Sequence, residues 1–277
     1  MGDQEKIRKS VSEAYSRAVT KPSTGSCCSG PVSKGVAAML AGYSSAELEA
    51  LPADAVKNSF GCGNPLAFSE VKPGQTVLDL GSGAGIDIIL AAKKVGPKGK
   101  AIGIDMTDDM IERAQANIEA AGLGNVEVRK GIIEQMPVES NSVDWVISNC
   151  VINLSPEKEK VFKEIARVLK PGGQMMVSDI VANDLPDWVR QSKSLYNTCI
   201  AGAISEDQYL AGLKAAGLSN AEVRERIMYD LGMLKAFTES ELCDSACCGT
   251  PIADLKEEDL KQFAGKIYSA KFYARKA

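Results

Sequence analysis

Residues Val77–Asp87, reading VLDLGSGAGID, constrain the fold more than any other stretch of the chain. Val77-Leu78-Asp79-Leu80 has the length and apolar branching of a buried parallel strand. It stops at Gly81, Gly83 and Gly85, ahead of the apolar-periodic Ile86–Ala92. The predicted order is strand, glycine turn, helix. Glycines there let backbone approach a ligand where a Cβ would collide, and the helix that follows presents unpaired N–H groups at its start. Alone, a glycine-rich turn is a weak signal.

Two details sharpen it. A dehydrogenase fingerprint, G-x-G-x-x-G, needs glycine at 86, where Ile86 stands, whereas D-x-G-x-G-x-G fits Asp79, Gly81, Gly83 and Gly85. A second strand, Ala101–Asp105, ends in an acid 26 positions after Asp79. A carboxylate at the tip of that neighbouring strand can accept both hydroxyls of a ribose. On these residues the chain resembles the class I S-adenosylmethionine-dependent methyltransferases. The resemblance implies a Rossmann-like α/β fold, a mostly parallel sheet with helices on both faces. It further implies Asp79, Gly81, Ser82, Gly83, Gly85, Asp105, Met106 and Asn149 around the cofactor S-adenosyl-L-methionine, with Ile132 as an apolar contact to the adenine and Glu134 as a polar partner nearby.

Downstream the strand–helix alternation repeats, as parallel strands with crossover helices require. Thr107–Ala121 opens on Asp108-Asp109 and keeps Met110, Ile111, Ala114, Ile118 and Ala121 on one side, a helix. Val126–Arg129 and Ser142–Asn149 read as the third and fourth strands and Pro156–Leu169 as a helix. Lys170-Pro171-Gly172-Gly173 reads as a tight turn into a fifth strand over Gln174–Asp179. Upstream, Gln4–Thr20 is a one-sided helix through Ile7, Val11, Ala14, Ala18 and Val19, and Ser44 or Ser45 caps another. Past Asp179 the strict alternation ends. Asp187–Ala203 is mostly helical in pattern, Gln208–Ala216 is a further helix and Ala221–Met228 a strand. Lys266–Lys276 is an aromatic-rich strand returning to the sheet or to a small antiparallel one.

Charge and composition narrow the chemistry. Lys+Arg 32 against Asp+Glu 36, with no basic block, disfavours a nucleic-acid substrate. No apolar run approaches membrane-spanning length and Met1–Lys9 is charged, so a soluble cytoplasmic protein is expected. The chain has 8 Cys and no His, which removes the usual general base and the usual nitrogen ligand for zinc. Thiols, carboxylates or the cofactor must do the chemistry.

The cysteines fall into three settings. Cys27 and Cys28 sit in a small, polar loop, KPSTGSCCSGP, where buried packing does not explain them. Cys62 is set in Gly61-Cys62-Gly63-Asn64-Pro65, whose glycines leave the sulfur uncovered. A core cysteine would not ordinarily stand in such a turn. Cys150 is delivered by the fourth strand to the sheet edge where ligands of open α/β sheets bind, Cys199 lies in the helical stretch beyond, and Cys243, Cys247 and Cys248 form a second small-residue thiol loop.

Cys62, Cys150 and Cys199 are 88 and 49 residues apart and meet only through the fold. Zinc normally asks for four ligands in paired spacing. Three thiolates suit trivalent arsenic, which sits in a three-sided pyramid with a lone pair at its apex. That lone pair is a nucleophile for an electron-poor methyl group and needs no general base. With Gly61-Cys62-Gly63-Asn64-Pro65, Ser148-Asn149-Cys150-Val151-Ile152-Asn153-Leu154 and Cys199, the chain resembles the arsenite S-adenosylmethionine methyltransferases.

This resemblance implies that Cys62, Cys150 and Cys199 bind arsenite and cycle through a disulfide, reset by an external thiol system such as thioredoxin or glutathione, in arsenic detoxification. It implies Cys27 and Cys28 as an arsenic relay, Cys243, Cys247 and Cys248 as auxiliary thiols with metal scavenging as their alternative, an N-terminal helical segment over 1–60, a cofactor domain over 61–185 and an arsenic-binding region over 186–277. Two other readings remain open at this point. A quinone- or sterol-type methyltransferase shares the sheet signals but has no reason to place cysteines at 62, 150 and 199. A non-enzymatic thiol protein that holds arsenic or a metal does not need Asp79, the glycine turn and Asp105.

Overall fold

A computed structural model describes residues 2–20, 42–59, 61, 63–229 and 265–277. Among the described residues seven strands form one sheet: β1 (Thr76–Leu80), β2 (Lys100–Asp105), β3 (Val126–Lys130), β4 (Val143–Asn149), β5 (Leu169–Ala182), β6 (Leu218–Met228) and β7 (Ile267–Lys276), in the order β3-β2-β1-β4-β5-β7-β6. β1 to β5 are parallel; β7 runs antiparallel between β5 and β6. The aromatic strand at the C-terminal end thus returns to the main sheet. Strand order reverses between β1 and β4, and the crevice beyond their carboxyl ends is where such sheets bind ligands.

The helices are α1 (Asp3–Thr20), α2 (Ser45–Glu49), α3 (Ala53–Lys57), α4 (Ile86–Val95), α5 (Asp108–Ala120), α6 (Lys158–Val168), α7 (Asp187–Arg190), α8 (Lys193–Asn197) and α9 (Glu206–Ala215). Successive strand residues feed opposite faces of the sheet. Leu78, Leu80 and Val146 pack with Phe162 of α6 and Tyr209 of α9, while Val77, Trp145 and Ile147 pack with Ile88 and Ala91 of α4. Ser44 caps α2 in a capping box with Glu47, as its position ahead of the apolar residues predicts. Among the described residues no helix is long and apolar enough to cross a membrane.

Two local expectations need correction. The turn predicted at Lys170–Gly173 is a bulge inside β5. Val143 pairs with Leu169 and Trp145 with Gln174, so residues 170–173 loop out while the strand continues. β7 holds the loop in place, because Arg275 Nε donates to the Gly172 carbonyl at 3.2 Å and Lys276 Nζ to that of Leu169 at 2.9 Å. The helical stretch Asp187–Ala203 is broken into α7, α8 and a turn. Ser192 accepts from Leu195 N–H and so starts a fresh helix, and Cys199 with φ +65° ends it.

Candidate active site

β1, β2 and β4 end at a cavity floored by the glycine turn. Gly81, Gly83 and Gly85 all have positive φ, at +64°, +51° and +100°. Side-chain-bearing residues resist that region. A Cβ on Gly81 would also stand 2.5 Å from Val151 Cγ2, so the turn lies directly against the residue after Cys150. Asp105, at the tip of β2, accepts the Gly83 N–H at 3.0 Å and the Thr107 N–H at 2.9 Å and faces the cavity beside Met106. Asp79 Oδ2 and Ser82 Oγ are buried without a hydrogen-bond partner among the described residues. Burial, with Asp87 and Asp105 close by, pushes the Asp79 carboxyl well above the usual carboxylate range.

The far wall is Ile132, Ile133 and Glu134. Glu134 is buried and accepts from Ser155 Oγ at 2.7 Å and from Arg8 Nε at 3.0 Å. Arg8 belongs to α1, whose Val11 and Tyr15 line the same cavity. Sequence reading singled out Ile132 and Glu134, and the fold brings both to the cavity; Arg8 carried no local signal.

Asn149, the last residue of β4, is the busiest side chain here. Its Oδ1 accepts the Gly63 N–H at 3.1 Å. Its Nδ2 donates to the Gly63 carbonyl, to Tyr43 Oη at 3.0 Å and to Asp87 Oδ2 at 3.2 Å. Tyr43 Oη in turn donates to Asp87 Oδ1 at 2.8 Å. Gly61 closes against the same amide, and a Cβ there would overlap the Asn149 side chain. One amide thereby grips Gly63 and packs against Gly61, the two glycines that flank Cys62 in sequence. Burial raises the Asp87 carboxyl to about 6, against hydrogen bonds from Tyr43 and Asn149 that lower it. Tyr43 and Asp87 were missed in the sequence. Asp87 could have been noticed as an acid in the first turn of α4, whereas Tyr43 is brought in by the fold alone.

Beside this clamp, Cys150 lines the cavity, and Cys199 Sγ donates to the Cys150 carbonyl at 2.7 Å. Both are buried, and both have positive φ, +61° and +65°. The other described non-glycine residues with positive φ are Asn141, Asp184 and Asn220, the residue types that tolerate it best. Cys199 Sγ keeps its thiol, while Cys150 is disulfide-bonded. Cys27, Cys28, Cys62, Cys243, Cys247 and Cys248 also lie outside them.

Behind the thiols, Lys158 donates to the carbonyls of Asn153 and Ser155 at 3.2 and 2.9 Å; burial pulls its ammonium down to about 8, against the field of Asp179 and Cys199. Burial lifts the Asp179 carboxyl to about 7, with Lys158 opposing.

The methyltransferase domain family model matches residues 71–217. The arsenite methyltransferase of Halobacterium salinarum is 42% identical over 234 residues, 80% of this chain and 59% of that protein. The arsenite methyltransferase of Homo sapiens is 39% identical over 155 residues, 52% of this chain and 41% of that protein. The chain thus spans less than two thirds of either relative's length. Among solved structures, the arsenic(III) S-adenosylmethionine methyltransferase of Chlamydomonas reinhardtii superposes with a TM-score of 0.64 at 31% identity, covering 83% of this chain and 71% of that one.

Proposed function

On the premise that the chain belongs to the arsenite methyltransferases of the class I superfamily, we propose that it methylates trivalent arsenic held on cysteine thiolates, with S-adenosylmethionine as the methyl donor. The observation that carries the reading is the pair Cys150 and Cys199. Cys150 lines the cavity at the switch point of the sheet, and the Cys199 thiol rests on its carbonyl.

The cavity suits that cofactor. Buried Asp79 Oδ2 and Ser82 Oγ have no hydrogen-bond partner among the described residues, neighbouring acids favour a cationic ligand, and the positive-φ glycines leave room for one. Gly81, Ser82, Gly83 and Gly85 would cradle it, Asp105 would take the ribose hydroxyls, Met106 and Ile132 would cover the adenine and Glu134 would stand at its edge. When bound, the cofactor supplies an electron-poor sulfonium methyl group.

The chain's own residues do the rest. Cys62, Cys150 and Cys199 hold arsenic as a pyramidal tris-thiolate, each arsenic–sulfur bond replacing an arsenic–hydroxyl bond with release of water. The lone pair left on arsenic needs no general base, in keeping with a chain that lacks His. Methylation leaves arsenic pentavalent, and returning it to the trivalent state takes two electrons. Two of the thiolates supply them by closing a disulfide, a state that Cys150 already adopts. Thioredoxin or glutathione then reopens that disulfide in the reducing cytoplasm. Asn149 serves the cycle by gripping Gly63, next to Cys62, while adjoining Cys150 in sequence. Cys27 and Cys28 relay arsenite inward, Cys243, Cys247 and Cys248 act as auxiliary thiols, residues 61–185 carry the cofactor and 186–277 complete the arsenic site. The outcome is arsenic detoxification.

Mass-resolved product analysis tests this. Protein incubated with S-adenosylmethionine, arsenite and a thiol reductant is expected to yield methylated arsenic, and Cys150→Ser none. Binding of the cofactor without any methylated product would overturn the arsenic assignment.

A further inference from the structure

Helix α1 touches the cofactor cavity and the thiol segment with one face. Arg8, Val11 and Tyr15 recur at helical spacing and line the cavity. Arg8 ties to Glu134 and Glu157. Ser12 accepts from Thr107 Oγ1 at 3.2 Å and Ser16 donates to Asp109, so the next stripe of the helix rests on the turn that follows Asp105. Tyr15 Oη reaches across and donates to the Asn197 carbonyl at 3.3 Å, two residues before Cys199. Val11 is buried in the same apolar cluster as Cys150, Leu154, Leu195 and Cys199.

Of the 18 residues of α1 only Val11 and Val19 are buried, and the cavity lies under the face that carries Arg8 and Tyr15. A ligand filling the cavity adds contacts to Arg8, Val11 and Tyr15, which line it, so it stabilises the docked helix and, through Tyr15, the turn that presents Cys199. Whatever stabilises one conformation of a shared element for one ligand favours it equally for the other.

We propose that α1 couples the two half-sites, with Tyr15 as the positioning residue, so that a cofactor-like nucleoside and arsenite bind with positive cooperativity. The proposal rests on the functional reading above and adds to it a thermodynamic link between cofactor and arsenical. The covalent step is the condensation already written, hydroxyls on arsenic exchanged for thiolates with loss of water, and no oxidant or reductant enters it.

Calorimetry on pre-reduced protein tests the link with S-adenosylhomocysteine and arsenite, which bind without turnover. In the wild type, saturating S-adenosylhomocysteine is expected to tighten arsenite binding by about fivefold or more, and arsenite to tighten S-adenosylhomocysteine by the same factor. Tyr15→Phe keeps the ring in the cavity wall and removes only the hydroxyl, and should bring that factor close to one. Arg8→Met, which frees the other end of α1, should reduce it as well. A merely structural Tyr15 would weaken both affinities and preserve their ratio. Equal arsenite affinity with and without S-adenosylhomocysteine in the wild type, or an undiminished ratio in Tyr15→Phe, overturns the coupling. Failure of the wild type to bind arsenite at all overturns the functional reading instead.

Discussion

The Cys199 thiol donates to the backbone carbonyl of Cys150 at 2.7 Å, and the two residues share a left-handed backbone that cysteine seldom adopts. Each owes that conformation to a chain ending. Cys150 follows the last residue of β4, its N–H still bonded to Ser178 O at 2.8 Å. Cys199 occupies the position just past the end of α8 that glycine usually takes, and the N–H groups of Ile200 and Ala201 fold back onto Leu195 O at 3.1 and 3.0 Å. Non-glycine residues held in this region concentrate at functional sites, where surrounding structure over-determines them.

That conformation has a measurable cost at Cys199. Comparing Cys199→Gly with Cys199→Ala cancels the lost thiol and leaves the backbone. Glycine normally destabilises relative to alanine, but at φ +65° the order should invert, with the glycine variant more stable by roughly 1 kcal/mol in chemical denaturation. Equal stability, or alanine ahead, would mean that the left-handed turn carries no strain.

Gly61 and Asn149 should be energetically coupled. In the wild type Gly61→Ala drives a Cβ into the Asn149 amide, and overpacking of this kind costs about 1–3 kcal/mol. In an Asn149→Ala background the obstructing atoms are gone, so adding Gly61→Ala should cost under about 0.5 kcal/mol. A double-mutant cycle on unfolding free energies reads the difference; additive effects would remove the clamp.

These two relationships mark the limit of what the sequence shows. The glycine turn, Asp79, Asp105 and the succession of the first five strands along the chain were legible, because each rests on a local run whose period or turn chemistry is set by neighbours in the chain. The grip of Asn149 on Gly63 spans 86 residues and that of Tyr43 on Asp87 spans 44, and no local pattern announces either. Cys199 was singled out as a candidate thiol, but its place at a helix end was hidden for a different reason. It stands where helix ends favour glycine, so the pattern read as continued helix. The Pro171-Gly172-Gly173 turn was misread because a neighbouring strand, distant in sequence, decides whether such residues end a strand or bulge from it.

Buried Asp179 gives a pH dependence with a definite sign. Its carboxyl is raised from 3.8 to about 7 by burial, partly opposed by Lys158. Between those values the folded chain holds the proton that the unfolded chain has lost. The residue's contribution to stability is therefore full below about pH 4 and is lost as the pH rises to about 7, at up to about 1.4 kcal/mol per pH unit. Asparagine cannot titrate. The stability of the wild type minus that of Asp179→Asn should fall across this window and level off above it, as followed by urea denaturation at stepped pH. A difference that stays flat from pH 4 to 7 would mean that Asp179 ionises normally in the folded protein.

The ribose-binding role proposed for Asp105 separates cofactor binding from the proposed arsenic binding. The Asp105 carboxylate accepts the N–H groups of Gly83 and Thr107, which fixes it at the cavity rim with lone pairs to spare for a pair of hydroxyls. Ala at this position removes the charge-assisted acceptors and frees both N–H groups, whereas Cys150, with Cys199 against its carbonyl, follows β4 on the other side of β1. Asp105→Ala should therefore weaken S-adenosylhomocysteine binding by about 1–3 kcal/mol while Cys199→Ser, tested beside it, leaves that affinity nearly intact and abolishes tight arsenite binding. Calorimetry that finds undiminished nucleoside affinity in Asp105→Ala would move the ribose elsewhere in the cavity.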